Sequence, residues 1–251
     1  YVKVLTEGSV EIVNIANNHI RDYKEAGYID TINTLNEANL PFFGFATYNI
    51  QDVSGIKIGL AGFNHYDERY YDKYQEEIDN AIEYLKNEKV DLIIISFHWG
   101  IQGTYRQTEK QTEVGHYAID AGADLVLGHH PHRIQGIEKY NDKYIVYSLA
   151  NFVFGGNRNP NDKDSFIYQQ TFLFENKKLV DQKVNIVPVH ISGEKNLNNY
   201  QPVIAEGDKK IKIIDDFKYL DVSSTNIRNG SNDNLDKKVI NYINKKKLYG
   251  R

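Results

Sequence analysis

Cysteine and methionine are both absent from the 251 residues of this chain. Without cysteine there is no thiol catalysis, no disulfide and no thiolate metal site, so metal ligands would have to be His, Asn, Asp or Glu. A chain without Met that starts at Tyr1, directly before a helical segment, is expected to be the C-terminal part of something longer. Long apolar runs are missing too: no stretch approaches the ~20 residues of a membrane helix. Excess positive charge is lacking. The net charge of −4 argues against a broad nucleic-acid footprint, and Lys237, Lys238, Lys245, Lys246 and Lys247 read as a solvated helical face. What is present, 41% hydrophobic and 25% charged residues, suits a globular protein large enough for one domain with an appendage.

The first half alternates strand and helix. Val10–Ala16 reads as a strand, followed by a helix near Lys24–Ala38 that Pro41 stops. Strands follow at Phe42–Ala46 and Ile56–Phe63, then a Tyr-rich loop, a helix at about Gln75–Asn87, and the near-continuous apolar strand Val90–Phe97 of a covered sheet centre. A helix at Glu109–Ala121 stops at Gly122, and Asp124–Leu127 forms the next strand. Beyond Pro131 the pattern turns to β: a hairpin of Ile134–Tyr140 and Tyr144–Leu149 around Asn141-Asp142, then Phe166–Phe174 and Leu179–Val189 around Asn176-Lys177-Lys178. The expectation is an α/β sandwich with mixed sheet, occupying residues 1–192, and a polar extension, 193–251, closing in a helix from about Leu235 to Lys247.

Three strand ends carry chemistry. Val10–Ala16 runs into Asn17-Asn18-His19, Val90–Phe97 into His98-Trp99-Gly100, and Asp124–Leu127 into Gly128-His129-His130-Pro131-His132. Imidazole is the commonest metal ligand, and an Asn oxygen is an acceptable one for a divalent ion. His130 and His132 can reach neighbouring metals if the backbone turns sharply, which Gly128 and Pro131 encourage. Taken singly, His98 fits a core histidine and Asn17-Asn18 a turn or helix cap; three imidazoles at one strand end serve no packing purpose. His65, His116 and His190 lack such context and read as structural.

Ala16-Asn17-Asn18-His19 with Asp22-Tyr23, His98-Trp99-Gly100, Ala121-Gly122-Ala123-Asp124, Gly128 to His132, and Tyr147-Ser148-Leu149-Ala150-Asn151-Phe152-Val153-Phe154 together resemble the CapA family of poly-γ-glutamate capsule biosynthesis, over roughly Tyr1 to Val189. The family is similar to the calcineurin-like metallophosphatases, a β-sandwich flanked by helices with a two-metal site. The resemblance implies Asn18, His98, His130 and His132 as ligands of divalent metal (Mn, Fe or Zn) and His19 as the acid that protonates a leaving oxygen or holds substrate. In an alternative register His129 and His132 are the ligands. Asn17, Asp22, His129 and Asn151 are expected to orient these groups or touch substrate.

The departures matter. Ile20 stands where the metallophosphatase Asn-His block has an acidic residue. Ala150 replaces a usual Gly, a mild change if the backbone angle there is ordinary. The N-terminal strands and their carboxylate ligands would precede Tyr1, leaving half a two-metal site and an edge open to pairing or homo-oligomer formation. The resemblance implies work outside the cell at the bacterial membrane, anchored by a preceding segment, beside a membrane-bound polyglutamate synthase or transporter. It implies hydrolysis of a phosphate ester or related bond or, alternatively, non-catalytic binding of the anionic polymer aided by Arg69, Arg106, Arg133 and Arg158. An intracellular phosphoesterase unrelated to capsule fits Tyr147 to Phe154 less well.

Overall fold

The computed structural model describes residues 2–152, 160–191 and 202–204. The extension beyond 192, apart from 202–204, together with Val153, Phe154, Arg158 and the closing helix, lies outside the described residues, as does the side chain of Arg69. In chain order the elements are α1 (Lys3–Glu7), β1 (Val13–Asn14), α2 (Lys24–Glu37), β2 (Phe42–Phe43), β3 (Asn49–Val53), β4 (Ile56–His65), a 3₁₀ turn at Glu68–Lys73, α3 (Tyr74–Asn87), β5 (Leu92–Trp99), α4 (Glu109–Ala121), β6 (Leu125–His129), β7 (Ile137–Tyr140), β8 (Lys143–Val146), β9 (Asp164–Glu175), β10 (Lys178–Ile191) and β11 (Pro202–Ile204). The main sheet has six strands in the order β3-β4-β5-β6-β8-β7. It is mixed: β4, β5 and β6 run parallel, and β3 pairs antiparallel with β4. The expected α/β class with a mixed sheet is what the chain adopts.

The chain divides into two compact units. One comprises Tyr1–Ile101, Thr108–His130 and Tyr140–Ile145; the other comprises Gln102–Gln107, Pro131–Lys139 and Val146–Arg251. In the first, residues alternate across β4 and β5. Phe63, His65, Phe97 and Trp99 share one face, their rings in mutual contact, with Phe97 and Trp99 stacked at 4.5 Å. Buried Ile78, Ala81, Ile82 and Leu85 of α3 and Val114 and Ala118 of α4 belong to the same interior. Fully burying one such large side chain contributes about 1.5–3 kcal/mol. Gly115 of α4 lets the helix approach Trp99 and Ile145 closely, since a Cβ there would sit 3.2 Å from Ile145. Helix α4 starts in a capping box between Thr108 and Gln111. A smaller core of Ile15, Leu35 and Leu40 holds α2 beside β1 and β2.

Several element limits differ from the sequence expectation. The strand expected over Val10–Ala16 is only Val13–Asn14, because its parallel pairing with Phe42-Phe43 extends for two residues. β3 was not foreseen: Asn49–Val53 is a half-exposed edge strand with no apolar face to betray it. β5 runs two residues further than expected, so His98 lies inside the strand and its orientation follows from the pleat. β6 likewise continues through Gly128 to His129. In the second unit, β9 and β10 form the expected long antiparallel hairpin. Asn176 and Lys177 at its tip both have positive φ, as a tight two-residue turn requires.

Candidate functional site

The geometry of the first unit begins at the face of β4 and β5 opposite the aromatic stack. There alternation places Gly62 and Asn64 beside Ser96 and His98, in the register Gly62↔Ser96 and Asn64↔His98. The end of β1 is clipped onto this face by Asn14. Its amide donates to Ser96 Oγ at 2.9 Å, and its Oδ1 accepts the Ala16 N–H at 2.8 Å. Gly62 makes room for this carboxamide: a Cβ at position 62 would collide with Asn14 Oδ1. The clip carries the following turn, and with it Asn18, to the C-terminal end of β5.

Asn18 Oδ1 lies 2.9 Å from His98 Nε2, and His130 Nδ1 lies 3.1 Å from the same nitrogen. A ring nitrogen carries either a proton or a lone pair. One proton therefore serves both contacts, or two lone pairs face each other. A divalent cation, if bound there, would replace that compromise by taking lone pairs from all three atoms, a chemistry open to an N,N,O donor set. His130 is held at φ +97°, a conformation that costs a bulky L residue about 1–3 kcal/mol and that persists where surroundings impose it, often at functional sites. Tyr66 packs against the His130 ring. His129, paired with His98 across β5 and β6, has its ring desolvated and its pKa pushed down to about 4, although the residue keeps some exposed surface. It is neutral at physiological pH.

His19 sits on the exposed turn after Asn18. Its Nδ1 is 2.8 Å from Asp22 Oδ2, and Asn17 Oδ1 accepts the His19 backbone N–H at 2.9 Å. The departure at Ile20 gains a physical reason here: Ile20 packs against the Ile15, Leu35 and Leu40 core, and the carboxylate beside His19 comes from two residues further on. His65, read as structural, is buried, shares a 2.7 Å hydrogen bond with Glu77 and stacks among Phe63, Phe97 and Tyr71. Gly100, which follows Trp99, has φ +80° and faces the Gln111 amide at a distance no Cβ would tolerate.

In the second unit His132 Nδ1 is 2.6 Å from Asn151 Oδ1, and His132 has φ +56°. Arg133 donates to the His132 carbonyl, lies over the Tyr105 ring and faces buried Asp162 at 3.8 Å. The expectation of an ordinary angle at Ala150 fails. Its φ is +62°, in the left-handed region that glycine would occupy without strain.

Of the residues singled out from sequence, the structure thus brings together Asn18, His98 and His130, pairs His19 with Asp22 through a turn that Asn17 secures, and pairs His132 with Asn151. Among the described residues no three His, Cys, Asp or Glu side chains gather as a metal-binding group. The convergent donors of the first unit are two imidazoles and a carboxamide, atom types that divalent ions accept, with no carboxylate among them to offset the charge of an ion. Asn14, Ser96 and Asn64 escaped sequence reading, since only strand register reveals that they share the face of His98.

Comparison with known proteins places these residues in context. Residues 1–156 match the family described as bacterial capsule synthesis protein PGA_cap. The capsule biosynthesis protein CapA of Bacillus anthracis is 30% identical over 216 residues, covering 76% of this chain and 50% of that protein. The PGA biosynthesis protein CapA of Bacillus subtilis strain 168 is 32% identical over 171 residues, covering 61% and 45%. The chain therefore spans about half the length of the curated relatives it matches. A solved hypothetical protein of Thermus thermophilus aligns at 16% identity with a TM-score of 0.46, over 74% of this chain and 79% of that one. The sequence match, covering all the strand-end blocks of the first unit, shows that the chain belongs to the bacterial capsule synthesis protein family PGA_cap.

Proposed function

We propose that this chain serves in building a poly-γ-glutamate capsule and that Asn18, His98 and His130 hold a divalent metal ion, manganese, iron or zinc, for hydrolysis of a phosphate ester or a related bond. The observation that carries the metal reading is the convergence of Asn18 Oδ1 and His130 Nδ1 on His98 Nε2. The capsule role draws on the family match and on the two Bacillus relatives named for capsule and PGA biosynthesis. The place of action is the outer face of the bacterial membrane, beside a membrane-bound synthase or transporter of the polymer.

A bound metal would supply an activated water and stabilise a developing oxyanion. The chain's own residues supply the rest. Asp22 faces His19 Nδ1 and orients the ring, so that Nε2 is the nitrogen turned outward to pass a proton to a departing oxygen. Exposure of both side chains keeps that proton in exchange with solvent. Asn14 and Ser96 fix the distance between the turn and β5. The test is to measure bound Mn, Fe and Zn and phosphodiesterase activity in the full-length protein and in His98→Ala. The reading requires the variant to lose both; unchanged metal content and activity would overturn it.

A second reading has its own observation: the converging donors include no carboxylate, and no group of three His, Cys, Asp or Glu is present among the described residues. A protein that only holds the polycarboxylate during assembly needs no bound metal. Polyglutamate affinity that survives chelation and His98→Ala would favour this role.

A further inference from the structure

The face of β4 that carries Gly62 continues to Asn64, and Asn64 is the register partner of His98. Neighbouring strands are about 4.8 Å apart, so the two side chains leave the sheet side by side on the same face. That they share it follows from their neighbours: Phe63, His65, Phe97 and Trp99 occupy the other face, and Asn14 covers Gly62 and bonds Ser96 on this one. The Oδ1 of Asn64 is shut off from solvent and accepts no hydrogen bond from the described residues. A buried amide oxygen left this way costs about 1–3 kcal/mol.

We propose that Asn64 is a further oxygen ligand of the divalent cation held by Asn18, His98 and His130, its buried Oδ1 beside His98 being left bare for that ion. The inference rests on the metal reading above and extends it from two strand ends and a turn to the neighbouring strand β4. It makes the set two nitrogens and two oxygens, still without a carboxylate.

The lack of a carboxylate in the set gives a test with a sign. Asn64→Asp puts a carboxylate of the same shape at the position. Without metal it is a buried, unpaired charge that destabilises the fold; with metal it is a better ligand. The experiment measures the melting temperature of the full chain in chelator and in saturating Mn²⁺, and the Mn²⁺ dissociation constant by calorimetry, for wild type, Asn64→Asp and Asn64→Leu. The expected result is a lower melting temperature for N64D in chelator, a larger Mn²⁺-induced rise than in wild type, and at least tenfold tighter binding. N64L keeps or gains stability in chelator and binds Mn²⁺ about tenfold more weakly. Equal Mn²⁺ affinity in all three proteins, with N64D destabilised alike with and without the ion, overturns the role of Asn64 while leaving the reading of the site intact. A wild type that binds no Mn²⁺ overturns both. Should N64D not fold, wild-type affinity in N64L overturns the proposal and weakened affinity supports it.

Discussion

His65 and His98 stand one strand apart at the same end of the sheet, and they face opposite ways. His65 is packed among Phe63, Phe97 and Tyr71, with Glu77 on its Nε2. His98 instead meets Asn18 Oδ1 and His130 Nδ1. One pleat separates a histidine that belongs to the core from one whose neighbours are themselves potential ligands. Residue type says nothing of this difference. Side of the sheet decides it.

The comparison breaks most visibly on stability. His65→Ala removes a buried ring from an aromatic cluster and should cost about 3 kcal/mol in chemical denaturation, as large-to-small core changes do, while metal bound per folded chain stays at the wild-type level. His98→Ala should do the reverse, lowering metal affinity at least tenfold with a stability change within about 1 kcal/mol. If both variants behave alike, the two faces are not functionally distinct.

Smaller effects sharpen the polar face. Asp22→Asn should lower any hydrolytic turnover by about 10–100-fold, the usual cost of losing a histidine's orienting partner, with metal content unchanged; equal turnover would remove Asp22 from the acid's support. Ser96→Ala takes away the hydroxyl that anchors Asn14 and should cost about 1 kcal/mol, together with a few-fold loss of metal affinity as the turn carrying Asn18 loosens. The smallest change lies in the other unit. Ala150→Gly relieves a left-handed backbone and should raise stability by about 0.5–1 kcal/mol without moving metal binding, which a paired melting and titration series would show.

Much of this arrangement was legible from sequence, for reasons that can be named. Helices α2, α3 and α4 follow the apolar spacing and the stop signals at Pro41 and Gly122. The convergent residues Asn18, His98 and His130 were legible because strand ends in parallel sheets deliver side chains to one edge, and Asp22 because it stands three residues from His19. Asn64 was not. It sits inside an apolar run, between Phe63 and His65, and looks like a polar interruption until the register sets it beside His98. β3 was missed because an edge strand needs no buried face, and Ala150 because a left-handed angle leaves no trace in a non-glycine residue. The sequence signal is local, whereas register and the hand of the pleat are set by strand pairing over long separations in the chain.

The central claim is that Asn18, His98 and His130 converge in order to hold a cation. Its most direct test is a crystal of the protein grown with saturating Mn²⁺ and measured for anomalous scattering. The account predicts a peak about 2.0–2.3 Å from His98 Nε2, His130 Nδ1 and Asn18 Oδ1, with their mutual contacts opened to admit it. No peak there, and the three side chains still joined by their own hydrogen bonds, would contradict it.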